Sequence, residues 1–85
     1  LSILDCTGGF ARDAAILASL GNYVTLIERN PLIMSLLVDA REKIKTDDIR
    51  YIFNRIKSRF GNCIDFIRNT NKHFDYIYFI YIFLR

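Results

Sequence analysis

Gly21-Asn22-Tyr23-Val24-Thr25-Leu26-Ile27-Glu28-Arg29-Asn30-Pro31 holds three structural signals in succession. Gly21 stands where a helix closes through a left-handed residue. Tyr23 to Ile27 is rich in β-branched and aromatic residues, the composition of a strand, and it stops at Glu28. Asn30 can accept from the first N–H groups of a helix, and Pro31 suits the first helical position, where no N–H is needed. The stretch therefore predicts the end of one helix, a strand and the start of another helix.

Reading upstream, Ala14, Ala15, Leu17 and Ala18 keep helical spacing within Ala11 to Leu20, with Arg12 and Asp13 in the first turn. Before them, Leu1-Ser2-Ile3-Leu4 is a short apolar run that ends at Asp5 and a Thr7-Gly8-Gly9 turn, as a buried strand does. Downstream, Leu32, Ile33, Leu36, Leu37, Ala40 and Ile44 form one apolar stripe. Thr46-Asp47-Asp48 restarts a helix carrying Ile49, Ile52, Phe53 and Ile56, with Arg55 and Lys57 at the end the helix dipole favours. Ile56 to Phe60 fits either the end of that helix or a third strand. Asn62 can cap a short helix with Ile64, Phe66 and Ile67, and a polar loop, Asn69 to His73, leads into a strand over Phe74 to Phe83. The order β-α-β-α-(α)-β-α-β predicts an α/β Rossmann-like fold, a partial parallel sheet with helices on its faces.

Hydrophobic residues make up 52% of the 85 and charged residues 25%, a globular balance. The chain opens inside a strand without an initiator Met, so it is expected to be a piece of a longer domain. Its net charge is +3, with basic residues spread from Arg41 to Lys72. That permits an RNA partner without requiring one. Cys6 and Cys63 have neither a metal-ligand spacing nor a disulfide framework, and are expected to be small residues near a packed site. No secretory signal is visible, and the apolar run Tyr76 to Leu84 is far short of the roughly 20 residues a membrane helix needs. The expected location is cytoplasmic, with neither a metal nor a membrane as partner.

In open parallel sheets ligands bind beyond the carboxyl ends of the strands. Asp5 closes the first strand, and Gly8-Gly9 lets the backbone turn close to a ligand. Glu28 ends the second, where a carboxylate can accept both hydroxyls of a ribose. Asn62-Cys63 follows the third, within reach of an adenine. The set predicts a site for an adenosine-bearing cofactor. Gly9-x-Ala11-x-x-Ala14 is a loose version of the dinucleotide fingerprint, which keeps an NAD-binding oxidoreductase open as an alternative. Asp5 and Asp13 would repel a pyrophosphate, however, and suit the cationic aminoacyl end of S-adenosylmethionine.

Asp5-Cys6-Thr7-Gly8-Gly9-Phe10-Ala11-Arg12-Asp13, Leu17-Ala18-Ser19-Leu20-Gly21 and Glu28-Arg29-Asn30-Pro31 together resemble the J-type small-subunit ribosomal RNA methyltransferases. The resemblance implies an S-adenosylmethionine-dependent 16S ribosomal RNA (guanine-N2)-methyltransferase, acting on that RNA or on the small ribosomal subunit. It also implies that Arg12-Asp13 and Glu28-Arg29 are cofactor-contacting pairs. Asn62-Cys63 falls where the family has two small hydroxyl residues, and Ala11 replaces a glycine of the family loop. Where the family continues its fourth strand into Asp-Pro-Met-Phe-Pro, this sequence has Ile80 at the position of the Asp, followed by Tyr81-Ile82-Phe83-Leu84. Ile80 has no acceptor for an amine proton, so no catalytic residue is assigned. The expectation is an inactive fragment, from a frameshifted or truncated gene, whose cofactor half survives.

His73 reads as a solvated loop residue, and Arg55, Lys57 and Arg59 as a solvated face. Tyr76, Tyr78, Phe79, Tyr81 and Phe83 read as a buried central strand, or as an exposed edge if no further strand pairs with it. A non-enzymatic RNA-binding remnant is the other alternative.

Overall fold

Gly21 adopts φ 96° and its N–H bonds to the Ala18 carbonyl at 2.9 Å, closing the first helix in the left-handed turn that glycine tolerates best. The computed structural model describes residues 1–6 and 12–78. In chain order they form β1 (Ser2–Asp5), α1 (Arg12–Ser19), β2 (Tyr23–Glu28), α2 (Pro31–Glu42), α3 (Asp47–Asn54), β3 (Ile56–Phe60), α4 (Cys63–Asn69) and β4 (Tyr76–Tyr78). Asn30 caps α2 through its side-chain oxygen, which accepts from the N–H groups of Leu32 at 2.9 Å and Ile33 at 3.4 Å.

The four strands are parallel and ordered β3-β2-β1-β4. The chain moves outward from β1 through β2 to β3, then returns to the other side of β1. Right-handed crossovers place helices of the two directions on opposite faces. On one face, Ala14 and Ala18 of α1 and Leu37 of α2 form a buried cluster with Val24, Leu26 and Ile56 of the sheet. The small side chains of Ala14 and Ala18 let α1 sit close to β2. On the other face, where α4 crosses, Leu4, Thr25 and Ile27 are buried.

The ambiguous segment Ile56 to Phe60 is a strand, paired from Val24↔Ile56 to Glu28↔Phe60. Its Ile56 is buried against β2, so α3 ends at Asn54 and Lys57 lies in β3 rather than at a helix end. The apolar stripe of α2 is covered only in part: Leu37 is buried, whereas Leu32 and Leu36 are exposed. β2 and β3 cover only one side of that helix, so its remaining apolar residues face outward. Arg55 is not part of a solvated face. Its guanidinium donates to the Gly21 carbonyl at 3.0 Å and lies 4.6 Å and 4.7 Å from the ring centres of Tyr23 and Tyr51. It clamps the amino end of the sheet to the end of α1. Lys57 and Arg59 are exposed, as expected. Of the two readings for the aromatic run, the exposed edge describes β4: among the described residues it pairs with β1 alone, and Tyr76 and Ile77 are exposed. The rest of that aromatic run, with Ile80, lies outside the described residues.

Candidate cofactor site

The strand order reverses between β1 and β4, so their carboxyl ends flank the crevice where parallel α/β sheets hold ligands. Asp5 is paired with Leu26 on one side and Tyr78 on the other. The Cys6 N–H extends the second pairing by donating to the Tyr78 carbonyl at 3.0 Å. Asp5 is fully buried, which is rare for a carboxylate. The Gly8-Gly9 turn that follows lies outside the described residues.

Glu28, two residues beyond Leu26, is 5% exposed. Its Oε2 accepts from the Asn30 N–H at 2.8 Å, which ties the strand end to the cap of α2. Its Oε1 is buried and has no hydrogen-bond partner among the described residues. A buried carboxylate oxygen without a donor is unfavourable by itself and becomes favourable when a ligand hydroxyl reaches it. Asp13 and Tyr78 add to the site. Asp13 is half-buried in the first turn of α1, and its carboxylate faces the Tyr78 hydroxyl closely enough to perturb it. Partial burial, the Asp13 carboxylate and, more weakly, Asp5 hold the Tyr78 pKa above its ordinary value of 10.0.

The two pairs singled out by resemblance divide in the same way. Asp13 and Glu28 turn toward the structure, while Arg12 and Arg29 are exposed. Asn62 is engaged as the cap of α4, its oxygen accepting from Ile64 at 2.8 Å and Asp65 at 3.3 Å. Cys63 overturns the expectation for the cysteines, because its sulfur is bonded to that of Cys6. They are 57 residues apart, and spacing rules say nothing at that distance. The parallel sheet brings them together because both follow carboxyl ends of strands. The sequence reading also missed Tyr78 as a neighbour of Asp13, since only the pairing of β4 with β1 places it there.

The chain matches a family of SAM-dependent methyltransferases over residues 1–83. It belongs to that family.

The ribosomal RNA small subunit methyltransferase J of Ectopseudomonas mendocina is 47% identical over 68 residues, 79% of this chain and 26% of that protein. Its namesake from Pseudomonas aeruginosa strain LESB58 is 46% identical over 67 residues, with 78% and 26% covered. The chain thus spans about a quarter of the length of these relatives. The crystal structure of a SAM-dependent methyltransferase from Neisseria gonorrhoeae superimposes with a TM-score of 0.77 at 30% identity, covering 89% of this chain and 36% of that one. The cofactor implied by the family is S-adenosylmethionine, and the buried acids of this methyltransferase chain fit it. Glu28 Oε1 is a buried acceptor without a donor among the described residues, and Asp5 and Asp13 are carboxylates at the same edge of the sheet. No helix among the described residues is long and apolar enough to cross a membrane, and no group of three or more metal-ligating side chains occurs among them.

Proposed function

We propose that these residues are the N-terminal, cofactor-binding part of a methyltransferase domain that modifies the exocyclic N2 of a guanine in 16S ribosomal RNA, in the cytoplasm. The observation that carries the cofactor assignment is the unpartnered Oε1 of buried Glu28 at the carboxyl end of β2. In this reading Glu28 accepts from the ribose hydroxyls, and Asp5 and Asp13 balance the charge of the aminoacyl end. Gly8-Gly9 lets the backbone approach, while Arg12, Arg29 and Asn62-Cys63 line the approaches. When bound, S-adenosylmethionine supplies a methyl group on a positively charged sulfur. The names of the relatives support ribosomal RNA as the substrate. So do Lys57 and Arg59, exposed two apart on the edge strand and therefore on one face of it.

Ile80 provides no acceptor at the position where the resembled family has an Asp. The 85-residue chain by itself is therefore expected to bind S-adenosylhomocysteine without methylating RNA. Calorimetric titration with S-adenosylhomocysteine and with NADH tests the cofactor: binding of NADH alone would overturn the assignment in favour of an oxidoreductase. Salt-sensitive RNA binding with no response to either compound would favour an RNA-binding remnant. Methyl transfer to small ribosomal subunits by the purified chain would refute the part assigned to Ile80.

A further inference from the structure

Cys6 and Cys63 meet in an informative place. β1 and β3 are separated by β2, and neighbouring strands lie about 4.8 Å apart, so the two strand ends are about 10 Å apart. The Cα atoms of Cys6 and Cys63 are nevertheless 5.7 Å apart, within the range a disulfide requires. The chain closes this gap by turning at Gly61, whose N–H donates to the Glu28 carbonyl at 2.8 Å. It then runs back across the carboxyl end of β2 toward Cys6. Gly61-Asn62-Cys63 is thus a strap over the strand end that carries Glu28, and the sulfur bond fastens it to β1. Both cysteines are half-buried rather than enclosed, so a small disulfide can reach them.

We infer that Cys6 and Cys63 form a thiol–disulfide exchange site at the mouth of the cofactor crevice, and that its oxidation closes the crevice. The inference that it gates binding rests on the cofactor reading given above; the exchange chemistry does not. The oxidant is a low-molecular-weight disulfide such as oxidised glutathione. One cysteine thiolate attacks it, forms a mixed disulfide and releases one glutathione thiolate. The second cysteine then attacks the bound sulfur, forms Cys6–Cys63 and releases the other glutathione. Two protons leave the protein and two glutathione thiols are produced, so the chain becomes two hydrogens lighter. In a reducing compartment the pair stays as thiols and the strap is free to move, which opens the approach to Glu28.

The test compares the chain after treatment with reduced or oxidised glutathione. Free thiols are counted by alkylation and mass spectrometry, and S-adenosylhomocysteine binding is measured by calorimetry. Oxidation should remove both alkylatable thiols, raise the melting temperature by roughly 10 °C or more, and weaken binding about tenfold. Cys6→Ser, outside the cofactor-contacting set, should bind like the reduced chain in either buffer, and Cys63→Ser should bind equally in the two buffers whatever its absolute affinity. Two alkylatable thiols after oxidation would overturn the exchange site. Oxidised chain that binds as tightly as reduced chain, or a redox response that persists in both serine variants, would overturn the gating. Binding in neither state would overturn the gating together with the cofactor reading, while the thiol count would still decide the exchange site.

Discussion

Glu28→Gln separates binding from folding at a single side chain. Glutamine has nearly the same volume, and its carbonyl oxygen can still accept from the Asn30 N–H that Glu28 Oε2 holds at 2.8 Å. The substitution removes a buried negative charge whose other oxygen has no donor among the described residues. Leaving a charged acceptor unsatisfied costs more than leaving an amide so. Folding stability should therefore stay level or rise, by up to about 1–2 kcal/mol. Binding should move the other way. A hydrogen bond to a charged acceptor contributes about 1.5–3 kcal/mol against about 0.5–1.5 for a neutral one. With the glutamine carbonyl kept on Asn30, the amide nitrogen takes the place of Oε1 and cannot accept, so ribose binding loses a charge-assisted hydrogen bond of about 1.5–3 kcal/mol, roughly 10- to 150-fold in Kd. Calorimetric titration with S-adenosylhomocysteine reads the affinity, and urea unfolding followed by circular dichroism reads the stability. An affinity within twofold of the parent would refute the assignment of Glu28 to the ribose. A loss of affinity matched by an equal loss of stability would show that Glu28 holds the fold rather than the ligand.

Arg55→Ala removes a charged hydrogen bond to the Gly21 carbonyl and two ring contacts, and should lower stability by about 2 kcal/mol, or about 10 °C in Tm. Arg55→Lys should recover part of this in the same thermal scans, and equal stability of Arg55→Ala and parent would contradict the clamp. Asn30→Ala deletes the cap of α2 and should cost about 1 kcal/mol in urea unfolding, with Asn30→Gly losing less. Tyr78 should make the fold sensitive to alkali. Its folded pKa is raised above 10.0, so its stabilising effect is complete below pH 10 and lost as pH rises through the folded value. Absorbance titration of the tyrosines should lose its highest-pH component in Tyr78→Phe, whose unfolding should also vary less above pH 10. An unchanged titration curve would remove Tyr78 from the neighbourhood of Asp13.

The elements around Gly21 to Pro31 were legible in the sequence because their determinants are local. A left-handed glycine, a run of β-branched residues and an Asn-Pro helix start act within a few positions, and each lies where the reading put it. The acids at the ends of β1 and β2 were legible for the same reason, since strand ends and glycine turns mark the ligand side of a parallel sheet. Family membership also followed from short runs, because Arg12-Asp13 and Glu28-Arg29 keep their spacing from the elements that carry them.

Pairing and packing decided the rest. Ile56 to Phe60 satisfies helical and extended patterns alike, and became β3 because β2 offers hydrogen bonds along its whole length. The apolar residues of α2 have a helical period, but period does not say how wide a surface the sheet can cover. Arg55 is one of several basic residues until the fold places Tyr23, Tyr51 and the end of α1 around it. Cys6 and Cys63, like Tyr78 and Asp13, are distant in sequence and become neighbours only because every strand points the same way. Parallel order gathers all the carboxyl ends at one edge, and that edge is where the sequence's separate signals come together.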